Sequence, residues 1–460
     1  MQLKCHIITL GCQKNEYDSQ VIEGLLSSIG YTKSEDIENS DLIVLNTCCV
    51  RDKADVKVYG RLGQYYELKK QNPNLIIIVT GCLAQKDGKK ILSRFKSVNL
   101  VIGTRNLKYL PQLVEETSRT GKRRYVCDMK DMEFENLPTA RGNEKSAWIP
   151  ISEGCDCHCT YCIVPFVRGP MTSRNPENII SEIKEFAGKG GLEVTLLGQN
   201  VNAYGKDNPD YGSFESLLKK INQIECIKRI RFISPHPANF GENCIKTISE
   251  LKKVCKAIHL PLQAGDDLIL RRMGRNYTTE TYRNIVKMLR HYIPDVSITT
   301  DIIVGFPGET LQQFQNTLDF VKEMQFDGAF MFAYSEREGT AAVKMKDPIE
   351  RSEKMKRLNT LIKEQNDITY KKHVFREGTF EEVLAERVSK KNSDFITGYT
   401  SRKDVVNFQA NENVIGKLVN IKLLKGFTWG FIGELSNDKT TQNKSEKQFN
   451  RRTHSLSVFI

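Results

Sequence analysis

The sequence lacks any long apolar run. The longest aliphatic stretch in its 460 residues is LIIIV at 75–79, far short of the ~18 consecutive apolar residues that a membrane-spanning helix needs. The first residues, MQLKCHIITLGC, also lack the long apolar core and the small-residue cleavage site of a secretory signal. We therefore expect a cytoplasmic protein with no membrane segment.

The sequence also lacks an even set of cysteines that could pair off completely. It contains 13, and cytosolic thiol buffers keep such cysteines reduced, so metal binding is the better explanation for any that cluster.

The excess of positive over negative charge in the sequence is small. The 68 Lys and Arg against 56 Asp and Glu leave a net charge of +12, which suits a polyanionic partner without requiring one.

A strand-then-helix pattern occurs three times in the first 100 residues. The short β-branched runs HIITLGC, DLIVLNTC and LIIIVTGC end at Cys12, Cys48 and Cys82, which predicts an open parallel α/β sheet domain over 1–125. Ligands bind beyond the carboxyl ends of such strands, so we expect the three cysteines to cluster. The alternative is ordinary packing of small buried residues. Cys49 is expected to point the other way and to take no part.

A second alternation begins near residue 146. Six strand-like runs follow one another with helical segments between them: AWIPISEGC, VTLLGQNV, RIRFISP, AIHLPLQ, SITTDIIVGFP and AFMFAYS. Six units are too few to close an eight-stranded barrel but suit a partial (β/α)6 barrel, whose active site lies at the carboxyl ends of its strands. With the charged linker helix that starts near 344, this domain is predicted to span 146–376.

The stretch EGCDCHCTYC follows the first barrel strand and holds four cysteines. Cys155, Cys159 and Cys162 give the spacing CxxxCxxC. Three thiolates on a four-iron cluster leave one iron open to chelate a small molecule, and this spacing is the signature of radical S-adenosylmethionine (SAM) enzymes. Cys157 falls between the three and is interpreted as a non-ligand. The alternative, a closed zinc site of four cysteines, is sterically awkward in so compressed a run.

Strand periodicity with frequent turn residues returns between 377 and 435, which predicts a small β-barrel. The polar tail 436–460, rich in serine and lysine, is expected to be disordered.

The sequence resembles the radical SAM methylthiotransferase family up to about residue 435, and within it the branch that acts on tRNA. The family joins an auxiliary-cluster domain, a radical SAM barrel and a small RNA-binding β-domain called TRAM. The Cys48-Cys49 pair departs from its pattern, in which one cysteine is usually followed by a small residue. The similar segments are GCQKNEYDSQ, NTCCVRDKADVKVYGRLG, EGCDCHCTYCIVPFVRG, LLGQNVNAYG, HLPLQAGDDLILRRMGR, TDIIVGFPGET and FMFAYSEREGT.

The resemblance implies two 4Fe-4S clusters and SAM as cofactors. Cys12, Cys48 and Cys82 would hold the auxiliary cluster, and Cys155, Cys159 and Cys162 the cluster that binds SAM. The implied reaction adds a methylthio group to carbon 2 of an N6-isopentenyladenosine beside the anticodon. No side-chain base can remove the hydrogen on that carbon, so a cofactor must carry the step. The implied partners are the tRNA anticodon arm, an external electron donor and a sulfur donor, and a monomer is expected.

Five residues are candidates to contact SAM, although each could equally be a structural hydrogen-bonding residue: Tyr161 inside the CxxC loop, and Gln199, Ser234, Gln263 and Asp301 after barrel strands. His236, flanked by prolines, is better explained by a rigid turn. VGFPGE at 304–309 has the wrong spacing for a phosphate loop and predicts a tight turn near the cofactor. The cysteines without ligand spacing are expected only to pack, namely Cys5, Cys127, Cys226, Cys244 and Cys255.

Two other functions stay open at this point. Sibling branches of the family modify an aspartate of a ribosomal protein, or a threonylcarbamoyladenosine instead of an isopentenyladenosine. A zinc-dependent RNA-binding module without catalysis is the alternative outside the family.

Overall fold

The computed structural model describes residues 2–49, 52–129, 135–142 and 144–436. The predicted tail therefore lies outside the described residues from 437 onward. No helix within the described ranges combines the length and the apolar character needed to cross a membrane. The chain forms two compact units: unit 1 is Met1–Lys253, Leu270–Tyr277 and Tyr334–Pro348, and unit 2 is Val254–Ile269, Thr278–Ala333 and Ile349–Ile460.

Unit 1 begins with a parallel sheet whose helices cover both faces. Its elements are β1 (Leu3–Leu10), α1 (Gln13–Ser27), β2 (Tyr31–Lys33), β3 (Leu42–Thr47), α2 (Asp52–Gln71), β4 (Ile76–Gly81), α3 (Cys82–Arg94), β5 (Leu100–Ile102), α4 (Leu110–Thr120) and β6 (Arg124–Val126). The strand order is β2-β1-β3-β4-β5-β6. Every residue of β3 and β4 is buried, which explains why both strands read as continuous apolar runs rather than as alternating patterns.

The rest of unit 1 contains a three-stranded parallel sheet and a short antiparallel pair. Its elements are β7 (Ser146–Pro150), β8 (Ser152–Glu153), α5 (Val164–Arg168), β9 (Thr172–Ser173), α6 (Pro176–Gly188), β10 (Glu193–Leu197), α7 (Phe214–Asn222), β11 (Arg229–Phe232) and α8 (Glu242–Glu250). The sheet order is β11-β10-β7, and β8 pairs with β9. The cysteine-rich loop therefore starts immediately after β8, between two short antiparallel segments.

Unit 2 holds the remaining parallel strands in the order β12-β13-β14. The elements that follow α8 up to the barrel are β12 (Ala257–His259), α9 (Asp267–Arg272), whose end from Leu270 belongs to unit 1, α10 (Thr279–Tyr292), β13 (Ser297–Val304), α11 (Leu311–Met324), β14 (Gly328–Ala333) and α12 (Arg351–Phe375). On β13, buried Ile298, Thr300 and Ile302 alternate with partly exposed Thr299 and Asp301. One face of β13 is therefore buried, and the other is partly exposed.

The end of unit 2 is a closed five-stranded barrel in the order β15-β16-β17-β19-β18. Its strands are β15 (Phe380–Val388), β16 (Phe395–Thr400), β17 (Val405–Gln409), β18 (Leu418–Phe427) and β19 (Gly430–Leu435). The interior is filled by Val383, Phe408, Phe431 and their neighbours. Closure leaves no unpaired strand edge, which a small β-domain would otherwise have to protect.

The predicted fold class is confirmed: an amino-terminal parallel α/β sheet, six parallel βα units and a carboxyl-terminal β-barrel. The six strand-like runs correspond to β7, β10, β11, β12, β13 and β14, in two sheets of three. The domain bounds 1–125, 146–376 and 377–435 remain predictions.

Candidate active site

The three amino-terminal cysteines lie together, as their positions at the carboxyl ends of parallel strands predicted. Cys12, Cys48 and Cys82 follow β1, β3 and β4, which are neighbours in the sheet. The Cys48 side chain lies within hydrogen-bonding reach of both the Cys12 and the Cys82 side chains. Cys49 also hydrogen-bonds Cys82. The expectation that Cys49 points away is therefore wrong, because the turn after β3 brings both adjacent thiols to Cys82.

A glycine allows the end of β4 to approach the end of β3. Gly81 has φ +90°, and a Cβ added there would lie 2.1 Å from the backbone oxygen of Thr47. The Thr47 hydroxyl donates to the backbone oxygen of Thr80 at 2.5 Å. This close contact sets Cys82 beside Cys48.

Gly81→Ala is expected to lower the iron content of the reconstituted protein from about eight to about four atoms per chain, by loss of the auxiliary cluster. The added methyl group would clash with backbone, and the left-handed conformation disfavours any side chain. Iron analysis after anaerobic reconstitution measures the effect. Gly63→Ala is the control, since Gly63 lies within α2 and has no atom within 4 Å of an added Cβ. Full iron content in Gly81→Ala would show that the close approach is dispensable.

Two buried amides hold Cys12 in place. The Cys12 backbone N–H and thiol both donate to Oδ1 of Asn15, at 3.3 and 3.4 Å. Nδ2 of Asn15 donates to Oδ1 of Asn46 at 3.1 Å, and Nδ2 of Asn46 donates to the backbone oxygen of Asn15 at 2.8 Å. Asn46 lies in β3 just before Cys48, so this amide pair joins two of the cysteine-bearing strand ends.

The surroundings of these cysteines favour thiolates. Cys12 is the N-cap of α1 and Cys82 opens α3, and the positive end of a helix dipole stabilises a thiolate. The hydrogen bond from Cys48 lowers the pKa of Cys12 to about 6. Hydrogen bonds from Cys48 and Cys49 likewise hold the pKa of Cys82 well below its ordinary value. The pKa of Cys48 is raised, because its thiol keeps the proton in the hydrogen bonds with Cys12 and Cys82.

The CxxxCxxC loop is anchored at its first cysteine by backbone contacts. The backbone N–H of Cys155 donates to the oxygen of Gly169 at 3.1 Å. Gly154 has φ +76°, and a Cβ there would lie 2.0 Å from the backbone oxygen of Pro170. The loop therefore starts pressed against the segment that follows α5.

Two distant segments of unit 1 hold the middle of the same loop. Thr160 donates its backbone N–H to the oxygen of Met273 and its hydroxyl to the oxygen of Arg272, both at 2.9 Å. The backbone N–H of Ala342 donates to the oxygen of Thr160 at 2.8 Å. The cysteines thus sit on a loop fixed by hydrogen bonds on several sides.

The remaining motif thiols differ in their surroundings. Cys157 donates its backbone N–H to the Cys155 sulfur at 3.4 Å, and the Asn200 amide donates to the Cys157 sulfur at 3.5 Å. A hydrogen bond from Cys155 lowers the pKa of Cys157 to about 6, and burial raises that of Cys162 to about 11. The interpretation of Cys157 as a non-ligand stays a prediction.

Arg275 is a site residue that the sequence alone did not reveal. Its Nη1 donates to the Cys159 sulfur at 3.3 Å and its Nε to the Tyr277 hydroxyl at 3.0 Å. The guanidinium also packs over the Tyr277 ring at 5.1 Å. Tyr161 lies beside this group, and burial raises its pKa well above the ordinary value. A fixed positive charge therefore faces one thiol of the motif.

Three of the predicted SAM-contacting residues belong to unit 1. Tyr161 lies between two motif cysteines, and Oε1 of Gln199 is buried with no hydrogen-bond partner among the described residues. Ser234 has φ +60°, a backbone state that is costly for a residue with a side chain and that often marks functional sites. The buried Gln199 oxygen and the strained backbone at Ser234, just after β11, are features expected of a site that binds a polar ligand.

The other two belong to unit 2. Gln263 has φ +73°, and its backbone N–H donates to the oxygen of Asp301 at 2.8 Å. The Asp301 carboxylate lies 3.3 Å from Nε2 of His259. Asp301 therefore already has a partner within its own sheet, so its assignment to SAM has less structural support than that of Gln263.

The structure supports the structural interpretation of two other segments. His236 accepts from the backbone N–H of Ala238 at 3.2 Å and caps a short 3₁₀ turn. The segment 304–309 is a tight turn in which the Glu309 N–H donates to the oxygen of Phe306 at 2.8 Å. The Glu309 carboxylate accepts from the Gly305 N–H at 2.7 Å and pairs with Arg357 of α12 at 2.8 Å. The charged helix thus holds this turn.

Both cysteine sets suit iron–sulfur clusters by their chemistry. Each offers three sulfur donors, the ligand type that such clusters use. Among the described residues, no three His, Cys, Asp or Glu side chains converge on a position for one metal ion. A 4Fe-4S cluster needs a wider arrangement, because each thiolate binds a different iron.

Comparison with protein families matches two regions of the chain. Residues 4–103 match the family described as Uncharacterized protein family UPF0004, and residues 149–321 match the Radical SAM superfamily. A solved structure, the radical SAM methyltransferase TsrM from Kitasatospora setae, shares the fold with a TM-score of 0.53 at 13% identity, covering 72% of this chain and 75% of that chain. Fold and site together define a radical SAM enzyme, and the predicted cofactors, 4Fe-4S clusters and SAM, are confirmed.

Relatives that match nearly the whole chain identify its family. One from Natranaerobius thermophilus is 43% identical over 441 residues, covering 95% of this chain and 98% of the relative. Others from Clostridium botulinum and Thermoanaerobacter pseudethanolicus are each 45% identical, covering 93% and 94% of this chain and 96% and 92% of the relatives. All three carry the name tRNA-2-methylthio-N(6)-dimethylallyladenosine synthase. The chain belongs to this family of enzymes, which excludes a zinc module without catalysis.

Proposed function

We propose that the protein adds a methylthio group to carbon 2 of N6-isopentenyladenosine next to the anticodon of tRNA. The observation that carries the proposal is the presence of two separate three-cysteine sets at strand ends in a chain that matches its named relatives over almost its full length. The clusters and SAM, when bound, supply radical chemistry at an unactivated carbon together with sulfur and a methyl group.

The protein's own residues bind and orient these groups in the proposed function. Cys12, Cys48 and Cys82 hold the auxiliary cluster, and Cys155, Cys159 and Cys162 hold the cluster to which SAM binds. The buried acceptor of Gln199 and the strained residues Ser234 and Gln263 support their roles in binding SAM, with Tyr161 and Asp301 completing the proposed set.

The proposed partners follow from this reaction. The tRNA anticodon arm is the proposed substrate, and we propose that the enzyme acts on it in the cytoplasm as a monomer. An external electron donor reduces the clusters and a separate donor restores the transferred sulfur. The barrel over 377–435 is the proposed RNA-binding domain.

Incubation with tRNA that carries or lacks the isopentenyl group should give product only, or far more, with the isopentenylated substrate. Burial of the five-carbon tail at ~0.8 kcal/mol per CH₂ contributes several kcal/mol to discrimination, a preference of more than ~100-fold. The measurement is mass spectrometry of nucleosides after reaction of the reconstituted enzyme with SAM and a reductant. Cys226→Ala serves as the control because Cys226 is exposed and outside both sets.

Two results would contradict the proposal. Equal methylthiolation of the bare adenosine would remove the isopentenyl preference. A methylthiolated ribosomal protein, or modified threonylcarbamoyladenosine, with no product on isopentenylated tRNA would assign the chain to a sibling branch.

A further inference from the structure

Three buried charges and the half-buried Lys14 form a closed ring beside the auxiliary cysteines. Nζ of Lys14 lies 2.6 Å from Oδ1 of Asp18 and 2.9 Å from Oε2 of Glu153. Arg168 donates to the other oxygen of each carboxylate, at 2.8 Å for Asp18 and 2.6 Å for Glu153. Each charge thus has two partners of opposite sign, the condition under which buried ions are tolerated.

This ring fixes a guanidinium near the auxiliary cysteines. Asp18 lies on α1 and Glu153 on β8, so two separate elements clamp Arg168. The backbone oxygen of Arg168 accepts from Nε of Arg105 at 2.8 Å. After hydrogen bonds from Cys48 and Cys49, the Arg168 charge also helps to hold the pKa of the Cys82 thiol below its ordinary value. Arg168 is only 3% exposed and is held at both backbone and side chain, so its position beside this set is fixed.

The second cysteine set has a counterpart. Arg275 donates to the Cys159 sulfur at 3.3 Å and is held by the hydroxyl and ring of Tyr277. Each set of three cysteines therefore has its own arginine, buried Arg168 beside the auxiliary set and half-buried Arg275 beside the CxxxCxxC set.

We propose that Arg168 and Arg275 are positioning residues that set the reduction potentials of the two clusters independently. This inference rests on the proposed function for the assignment of the six cysteines as ligands. Hydrogen bonds to ligand sulfurs stabilise the extra negative charge of the reduced cluster and so raise its potential. Lysine keeps the charge but cannot reproduce the planar fork of donors. A lysine at either position therefore weakens the contact without removing the cation.

The test uses the full-length chain with one cluster at a time. Replacing Cys155, Cys159 and Cys162 with alanine leaves the auxiliary set, and replacing Cys12, Cys48 and Cys82 leaves the other. Arg168→Lys and Arg275→Lys are introduced into each background, and the midpoint potential is measured by a reductive titration followed by electron paramagnetic resonance. Arg168→Lys should lower only the auxiliary potential, and Arg275→Lys only the potential of the CxxxCxxC cluster.

A matched control separates this role from general destabilisation. Arg174 is as buried as Arg168, at 3% exposed, and it pairs with Glu182 at 2.8 Å. Arg174→Lys should leave both potentials unchanged. Loss of iron from the auxiliary set in Arg168→Lys, with an unchanged potential for the cluster that remains, would show that the guanidinium only holds the cluster and would overturn this role.

The inference is overturned if Arg168→Lys shifts both potentials, shifts neither, or strips iron from both sets. No tRNA enters the measurement. A protein that shows the two separate shifts but fails to methylthiolate tRNA would refute the proposed function and leave this inference standing.

Discussion

Replacing Cys155, Cys159 and Cys162 with alanine is expected to reduce formation of 5′-deoxyadenosine from SAM to the background without protein. These thiols are the proposed ligands of the cluster whose open iron chelates SAM, so their loss removes both the electron source and the binding point. Chromatography of the nucleosides released under reducing conditions measures the effect. Iron should fall from about eight to about four atoms per chain.

The complementary replacement of Cys12, Cys48 and Cys82 should have the opposite profile. SAM cleavage is expected to persist within a few-fold of the parent protein, whereas methylthio transfer to tRNA should stop. Cys226→Ala, at an exposed cysteine, should retain both activities and all the iron. Equal loss of SAM cleavage in both triple variants would contradict the division of labour between the two sets.

Asp404→Ala is expected to destabilise the carboxyl-terminal barrel by about 1–3 kcal/mol, because it removes a buried charged acceptor and leaves Arg376 with Glu381 as its remaining ion-pair partner. The Asp404 carboxylate accepts from Nη1 of Arg376 and from the Thr400 hydroxyl, both at 2.8 Å. Urea unfolding followed by the fluorescence of Trp429, in a Trp148→Phe background, measures the change. Asp394→Ala is the control at an exposed barrel aspartate, and equal midpoints for the two variants would contradict the prediction.

The same carboxylate gives the barrel a defined pH dependence. Burial alone would raise the pKa of Asp404, but the Arg376 guanidinium and hydrogen bonds hold it well below the ordinary value. A depressed folded-state pKa stabilises the protein above the unfolded value near ~4 and loses that contribution as the pH falls further. Acid should therefore lower the urea midpoint of the parent barrel more steeply than that of Asp404→Ala.

The sequence predicted the parts of the site that depend on local patterns. β-branched runs located β1, β3 and β4, and the rule that ligands bind beyond the carboxyl ends of parallel strands then brought Cys12, Cys48 and Cys82 together. The same rule failed for Cys49, because its direction depends on a turn and not on strand alternation. The tight turn at 304–309 was also predicted from its own residues, since a turn of this kind is set by local backbone conformation.

The contacts that tie these parts together could not be predicted from the sequence. Arg168 meets Asp18 across 150 positions of the chain, and no spacing rule relates residues so far apart. The Asn15–Asn46 amide pair and the contact of Arg275 with Cys159 are of the same kind. Gly81 carried a weak signal, since a glycine directly before a strand-end cysteine permits close backbone approach.

Unit 1 is built from three separate segments of the chain, and this constrains the order in which it can fold during synthesis. Its last segment, Tyr334–Pro348, follows the parallel strands of unit 2 in the chain, and Ala342 in that segment hydrogen-bonds Thr160 within the cysteine loop. Domains form as their residues emerge during synthesis. The nascent chain therefore exposes Cys155, Cys159 and Cys162 before the last segment that fixes their loop has been synthesised.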